Sequence, residues 1–342
     1  MVSRRLVDLL INKTIMNYRI FGKTGFKVSE VSLGTWQLGS RWGDPFDEKV
    51  ALDTLEAAFR SGINLFDTAD IYQDGNSERT IGKFLSLHPN DRIYVVTKMG
   101  RALNPHVAEG YNEENLRRFV DQSRRQLGME ALDLTLLHCP PTPVFSNNKV
   151  FAVLDALKAE GKIRHYGVSI ERIEEGLAAL QHDISAIEVI FNMFRLRPAD
   201  ELFRKAAEKG VAIIVRVPLA SGLLTGKFTA DTKFGPDDHR TFNRNGEAFD
   251  KGETFSGVDY MTGVRVAQQL KTALATDDLA TTALRYILMY PEVSVVIPGA
   301  SRPEQIERNV KASDAAPLTE AQMQKVREIY DSEISPLVHH LW

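Results

Sequence analysis

Residues 63–98 read INLFDTADIYQDGNSERTIGKFLSLHPNDRIYVVTK, and this stretch carries one full repeat of the pattern that decides the fold. An apolar run ends at Asp67, a glycine-bearing loop follows, a helix is expected over residues 77–87, and a second apolar run ends at Lys98. Short, continuously apolar strands separated by amphipathic helices imply parallel strands covered by helices on their faces. The repeat also delivers a carboxylate, Asp67, and one loop later a phenol, Tyr72, to the same rim.

Outward from this stretch the unit recurs. Strands are expected at residues 31–33, 65–67, 93–98, 132–138, 164–169, 186–190, 211–217 and 293–297. The helices that follow them are expected at 47–61, 77–87, 112–127, 149–160, 173–182, 199–209, 260–274 and 303–311. In the first helix Ala51, Leu52, Leu55, Ala58 and Phe59 fall on one face and Gly62 closes it. Eight strand-then-helix units favour a closed barrel over an open, doubly wound sheet. No Gly-x-Gly-x-x-Gly follows the first strand and no Gly-x-x-x-x-Gly-Lys-Ser/Thr occurs, so a Rossmann or P-loop reading has no local support. The expected fold is therefore α/β, a (β/α)8 TIM barrel forming a single domain over residues 16–342. An N-terminal hairpin (18–21 and 26–28 around a glycine-bounded turn) and two extra helices (276–289 and 319–334) decorate it. Residues 1–15 lack a small-residue cleavage site and precede Met16-Asn17-Tyr18-Arg19, which has the look of a natural start; they read as an extension outside the fold.

Composition narrows the function classes. At 342 residues with 43% hydrophobic content the chain can bury a large core, and a net charge of -3 with basic residues spread among acids argues against nucleic acid or an anionic membrane as partner. The single cysteine, Cys139, excludes an internal disulfide framework and a cysteine-based zinc site, which fits a reducing, cytoplasmic setting; no metal is expected. Its place beside His138 invites a nucleophile reading, but a lone cysteine without a base partner reads better as a small core residue. No apolar run is long enough to span a bilayer.

The C-terminal strand ends are where such barrels keep their chemistry, and here they carry Thr35 and Trp36, Asp67, Lys98, His138, Ser169, Glu188, Asn192, Arg216 and residues 297–302. Taken singly, each has an ordinary structural reading. Jointly, Tyr72, Lys98 and Asp67 are the chemical types of an acid-base trio, in which an ammonium stabilises a phenolate and a carboxylate fixes the ammonium. Asp70, although near Tyr72, reads as structural. A long polar and aromatic insert, residues 228–257, follows the seventh strand and is expected to be a lid or cofactor clasp.

At this point the chain resembles the aldo-keto reductase superfamily. The matching motifs are Gly34-Thr35-Trp36, Phe66-Asp67-Thr68-Ala69-Asp70-Ile71-Tyr72, Ser77-Glu78-Arg79, Thr97-Lys98, Leu136-Leu137-His138, Gly167-Val168-Ser169, Pro218-Leu219 with Gly222-Leu223-Leu224-Thr225-Gly226-Lys227, and Ile297-Pro298-Gly299. The resemblance implies a catalytic tetrad of Asp67, Tyr72, Lys98 and His138. Hydride would pass from a nicotinamide to a carbonyl carbon, Tyr72 would protonate the oxygen, Lys98 would lower the phenol pKa and His138 would orient the carbonyl. It implies cofactor contacts at Gly34, Thr35, Trp36, Ser169, Glu188, Arg216, Pro218, Leu219, Gly222, Leu224, Lys227, Gly299, Ser301, Arg302, Gln305 and Asn309. Four positions depart from patterns in the family: Ile170 replaces an asparagine, Glu188 a glutamine, Arg216 an aromatic ring that stacks on nicotinamide in many members, and Gly299 a lysine that some members use after the last strand. Arg302, with Arg308 as second choice, is the expected partner of a 2'-phosphate, so NADPH/NADP+ is preferred to NADH.

The activity so implied is reversible, NADPH-dependent reduction of an aldehyde, ketone or sugar-like carbonyl, a small-molecule substrate. Two alternatives stay open: a cofactor-sensing regulatory subunit, as the potassium-channel beta subunits resemble this fold, and a Schiff-base lyase or isomerase using Lys98 without any nicotinamide. The substrate pocket is expected to be lined by Trp36 and Trp42 and by loops 103–111, 140–147 and 234–255. Oligomeric state is left open by the sequence.

Overall fold

In a computed structural model that describes residues 15–40 and 42–342, ten strands are present. β1 (Tyr18–Ile20) and β2 (Lys27–Ser29) pair antiparallel as the expected hairpin. The other eight run parallel in chain order: β3 (Leu33–Gly34), β4 (Leu65–Asp67), β5 (Tyr94–Met99), β6 (Leu132–His138), β7 (Ile163–Ser169), β8 (Ala186–Ile190), β9 (Ala212–Arg216) and β10 (Val293–Val296). The sheet closes on itself. Ser32 N donates to Val296 O at 2.9 Å, Val296 N to Glu30 O at 2.9 Å, and Gly34 N to Pro298 O at 3.2 Å, joining the last strand to the first. The expected (β/α)8 barrel is observed.

Alternation along each strand explains both the core and the site. Side chains two apart share a face, and Leu65, Val96, Leu134, Leu136, Ala186, Ala212, Ile214, Val295 and Ile297 form one buried cluster inside the barrel. Phe21 and Val28 of the hairpin join that cluster, so the hairpin plugs one end. The plug depends on close backbone approach: Lys23 N donates to Gly210 O at 2.6 Å, and a Cβ on Gly22 would lie 2.5 Å from that same oxygen. Two residues beyond the apolar floor, the same inward register carries Asp67, Lys98, His138, Glu188 and Arg216. The open end is therefore the polar one.

The strands are covered by α1 (Glu48–Arg60), α2 (Asn76–Leu87), α3 (Glu113–Leu127), α4 (Asn148–Ala159), α5 (Ile173–Ala179), α6 (Arg197–Glu201), α7 (Phe203–Glu208), α8 (Tyr260–Ala273), α9 (Leu279–Leu288), α10 (Pro303–Asn309) and α11 (Glu320–Ile329). Side-chain caps start several of them, as where Asp47 Oδ1 accepts from Val50 N at 3.0 Å and Asn112 Oδ1 from Asn115 N at 3.0 Å. The single helix expected over residues 199–209 is instead two, because the backbone departs from ideal helix at fully buried Leu202 (φ -110, ψ -45). The expected helix 319–334 completes itself through a π turn, Tyr330–Ile334.

The insert 228–257 is a packed wall. Phe234 and Phe255 lie 5.9 and 5.3 Å from the ring of Tyr260, Arg240 stacks over Phe234 at 4.3 Å, and Trp342 Nε1 donates to Asp250 Oδ1 at 2.9 Å. Among the described residues no helix is long and apolar enough to cross a membrane. The expectation for residues 1–15 falls, but for Ile15, outside the described residues.

Candidate active site

The ring of inward polar residues rests on the apolar floor of the barrel. Lys98 has no exposed surface and Asp67 almost none. Lys98 Nζ donates to Asp67 Oδ1 at 2.6 Å, to Thr68 O at 3.0 Å and to Tyr72 OH at 3.3 Å, and Glu188 Oε2 lies 3.5 Å away on its other side. Tyr72 begins the turn Tyr72–Gly75, which needs left-handed backbone at Gln73 and Asp74 (φ 52 and 53). That turn swings the phenol back over Lys98, with the ring of His138 at 5.9 Å and of Trp36 at 6.4 Å. The structure thus brings all four tetrad candidates together.

Glu188 stands where a glutamine is common, and this changes the electrostatics. It links two cations: Lys98 on one side and Arg216 on the other, whose Nε lies 3.7 Å from Glu188 Oε1. Arg216 is itself held by Glu253 of the insert at 2.5 Å and donates to Ile170 O at 3.0 Å. Among the described residues Cys139, Glu171 and Glu253 form the one grouping tight enough to cage a cation, and the guanidinium of Arg216 already reaches two of them, Glu253 and, at 3.6 Å, Cys139 Sγ. Burial pushes the Cys139 thiol up to about 12, which removes it as a nucleophile.

Protonation states follow from burial and these neighbours. Burial pulls the Lys98 ammonium down, but Asp67 and Glu188 outweigh it and hold Lys98 charged, above its ordinary value. A Schiff-base lysine must be neutral to attack, so the lyase alternative loses its nucleophile. Burial drives the His138 imidazole well down, and the cations Lys98, Arg101 and Arg216 drive it further, so it is neutral. For Tyr72 the sequence expectation is corrected. Burial raises the phenol, and Lys98 offsets only part of that because Asp67 and Glu188 oppose it; the phenol lies above its ordinary value and stays protonated. Asp67 is raised by burial first and Glu188 second, against Lys98.

A cavity of about 520 Å³ opens above this group. Gly34, Thr35, Trp36, Glu188, Arg216, Pro218, Leu219, Gly222, Gly299 and Gln305 line it, as do Asp67, Tyr72 and His138. Other expected contacts do not. Leu224 is buried in the outer core, Lys227 is exposed, and Ser169 is buried against Glu188 Oε1 at 3.3 Å. Ser301 N and Oγ donate to Gln305 Oε1 at 2.7 and 3.1 Å and Asn309 Nδ2 to Gly299 O at 3.4 Å, so both brace lining residues from behind. Arg302 sits at that end with Glu304 as ion-pair partner at 3.5 Å, while Arg308 is exposed.

The walls also differ from expectation. Trp42 and the insert contribute, the latter through Phe228, His239, Arg240, Phe249 and Glu253, but loops 103–111 and 140–147 are absent from the lining. The first folds outward because Tyr111 packs onto Gly100 and its hydroxyl pairs with His106 Nε2 at 2.8 Å. With Asn147, it borders a separate surface depression beside α3 and α4. Arg240 and Glu253 come from the expected loop 234–255, while Arg101 is the charged lining residue outside every expected segment.

Asp70 faces away from this chemistry. Its N–H is fixed to Lys98 O at 3.1 Å, and burial, then Glu78, push its carboxyl up to about 7. A folded-state pKa above the unfolded value contributes stability that is complete below about pH 4 and lost as pH rises toward 7. Asp70→Asn should therefore gain on the wild type as pH rises from 4 to 8, by roughly 2–4 kcal/mol at most. Parallel denaturant melts across that range check this; a constant gap between the two proteins would contradict it.

A profile of the aldo/keto reductase family matches residues 30–331. A protein of Escherichia coli (strain K12) named as an NADH-specific methylglyoxal reductase is 30% identical over 329 residues, covering 91% of this chain and 97% of its own. Among solved structures, an aldo-keto reductase from Bacillus halodurans in its holo form superposes with a TM-score of 0.75 at 28% identity, over 92% of this chain and 96% of that one. A glycerol dehydrogenase from Gluconobacter oxydans does so with a TM-score of 0.72 at 26% identity, over 92% and 94%.

Proposed function

The chain belongs to the aldo/keto reductase family and is a nicotinamide-dependent oxidoreductase acting on carbonyl groups; from that premise we propose that it reduces an aldehyde, ketone or sugar-like carbonyl with NADPH, taking the proton from Tyr72. The observation that carries this reading is the geometry: the Tyr72 phenol and the His138 imidazole stand side by side at a cavity wall, with the buried Lys98 Nζ 3.3 Å behind the phenol.

A nicotinamide dinucleotide suits the residues present. Glycines at 34, 222 and 299 leave the cavity wall low, and at Gly34 a Cβ would stand 2.8 Å from Ile297 O. Gln305 and Arg302 mark the far end, and Arg302 Nε is buried without a hydrogen-bond partner. When bound, the reduced nicotinamide supplies the hydride for the carbonyl carbon. Tyr72 OH gives its proton to the carbonyl oxygen, and Lys98 stabilises the phenolate left behind. Asp67 keeps Lys98 charged and aimed. His138, neutral, donates to the same oxygen as negative charge grows there. Trp36, Trp42 and Phe249 give the cavity an apolar, aromatic wall beside Tyr72.

NADPH is preferred because Arg302 offers a fork of donors to a 2'-phosphate. The E. coli relative, named for NADH, makes this the point to test. Consumption of each cofactor against a panel of carbonyls, with fluorescence titration of each, is the direct experiment. NADPH should bind at least about 10-fold more tightly than NADH, and Arg302→Ala should abolish the difference; equal affinities in the wild type would remove the preference. Absence of turnover with either cofactor on any carbonyl would contradict the reading itself. The reading includes a reducing, cytoplasmic setting, in which Cys139 remains a thiol.

A further inference from the structure

Each charged group lining the cavity has a counter-ion within 3.5 Å except Arg101, whose nearest stands at 3.9 Å. Arg216 is held by Glu253, Arg240 by Asp238 at 2.9 and 2.6 Å, and Lys98 behind them by Asp67 and Glu188. Arg101 lines the same cavity, three residues beyond Lys98, and makes no hydrogen bond to any described residue. Its nearest carboxylate oxygen, Glu171 Oε1, is 3.9 Å away, outside hydrogen-bond distance, and itself has no hydrogen-bond partner. Burial, then Glu253 and Asp250, push the Glu171 carboxyl up to about 8, against Arg216 and Arg101, so Glu171 is a weak counter-ion for Arg101. A guanidinium with no hydrogen bond to any described residue, at the wall of a cavity also lined by Trp36, Trp42 and Phe249, has its donor fork available to an anion.

We propose that the cavity takes carbonyl compounds that carry an anionic group, a carboxylate or phosphate, and that Arg101 binds this group while the carbonyl lies between Tyr72 and His138. This deepens the proposed function and rests on it for the reacting end. The position of Arg101 favours substrate over cofactor as the source of the anion. It follows β5, adjoining the strands that carry Asp67 and His138, whereas the expected phosphate end lies across the cavity at Gly222 and Gln305, after β9 and β10. The aromatic lining suits a flat, apolar body. Trp36 and Trp42 meet edge to face at 4.9 Å, Phe249 lies 5.9 Å from Trp36, and burial holds the His239 beside them down at about 4, hence neutral. The chemistry implied is a planar or aromatic aldehyde or ketone with an acid group, bound by stacking at one end and a bidentate ion pair at the other.

Binding tests this without relying on turnover. Calorimetric titration of the whole protein, with and without NADP+, should show benzoate binding at least about 10-fold more tightly than benzamide, a preference that Arg101→Leu removes and Arg101→Lys partly keeps. In turnover, the ratio of kcat/KM for 4-carboxybenzaldehyde over benzaldehyde should fall by about 10- to 100-fold in Arg101→Leu. Equal affinity for benzoate and benzamide in the wild type overturns the proposal, as does a preference that survives in Arg101→Leu. A matching loss of NADP+ affinity in that variant overturns it too, by assigning Arg101 to the cofactor. If benzoate is selected through Arg101 but neither aldehyde is turned over, the anion site stands and carbonyl reduction falls.

Discussion

Tyr72→Phe is expected to lower kcat by about 10²- to 10⁴-fold, the range that a positioned general acid contributes. The substitution removes one oxygen whose hydrogen-bond partner among the described residues is Lys98 Nζ at 3.3 Å. The ring remains between Trp36 and His138, and Lys98 keeps Asp67 and Thr68 O. Stability and cofactor affinity should therefore change little, which separates loss of the proton from loss of the site. Because burial holds the phenol protonated, the wild type should reduce carbonyls with a rate that does not drop through neutral pH on account of Tyr72. Initial rates at saturating cofactor check both points; turnover within two-fold of wild type would remove Tyr72 as the donor.

Lys98→Met is expected to be costly to the fold as well as to catalysis. The methionine fills much of the lysine volume, but Asp67 and Glu188 then face each other as two buried carboxylates without their shared cation. Breaking a buried pair in this way costs about 3–5 kcal/mol, because the remaining charge is uncompensated. In the variant the Asp67 carboxyl, raised by burial and now without its opposing cation, should bind its proton more tightly folded than unfolded. Stability is then fully present below about pH 4 and is lost as pH rises, so the deficit against wild type should widen toward neutral pH. Denaturant melts at pH 4 and pH 7 measure it, and adding Glu188→Gln should restore part of the loss. A deficit under about 1 kcal/mol at pH 7 would mean that water reaches these carboxylates.

The strand ends made the site legible in the sequence, because Asp67, Lys98 and His138 each close an apolar run, and the structure adds the inward register. Leu65 and Asp67, Val96 and Lys98, Leu136 and His138 are spaced two apart, so one periodicity fixes the apolar floor and the polar ring above it. Helix caps and glycine stops marked the covering helices for the same local reason. What escaped the sequence depends on contacts between distant segments. Glu253 meets Arg216 from 37 positions away across an insert with no repeating pattern, and the Arg240 guanidinium is set by Asp238 and by stacking on Phe234. The sign at Tyr72 was misjudged because a nearby ammonium suggests a lowered phenol, whereas burial and two carboxylates set the net direction. Loop 103–111 turned outward through Tyr111 and Gly100, a packing choice that no spacing reveals. Arg101 stood three residues past Lys98 and was passed over because a single arginine after a strand carries no motif.

Hydride transfer to a carbonyl carbon at the Tyr72–Lys98 site is tested most directly by isotope. The wild-type enzyme would be supplied with NADPH deuterated at C4 on each face in turn, together with an aldehyde it consumes. Deuterium should appear at the carbinol carbon of the product from one face only, with the alcohol proton drawn from solvent, and Tyr72→Phe should transfer the same label far more slowly. Product formed without deuterium from either face would contradict hydride transfer at this site.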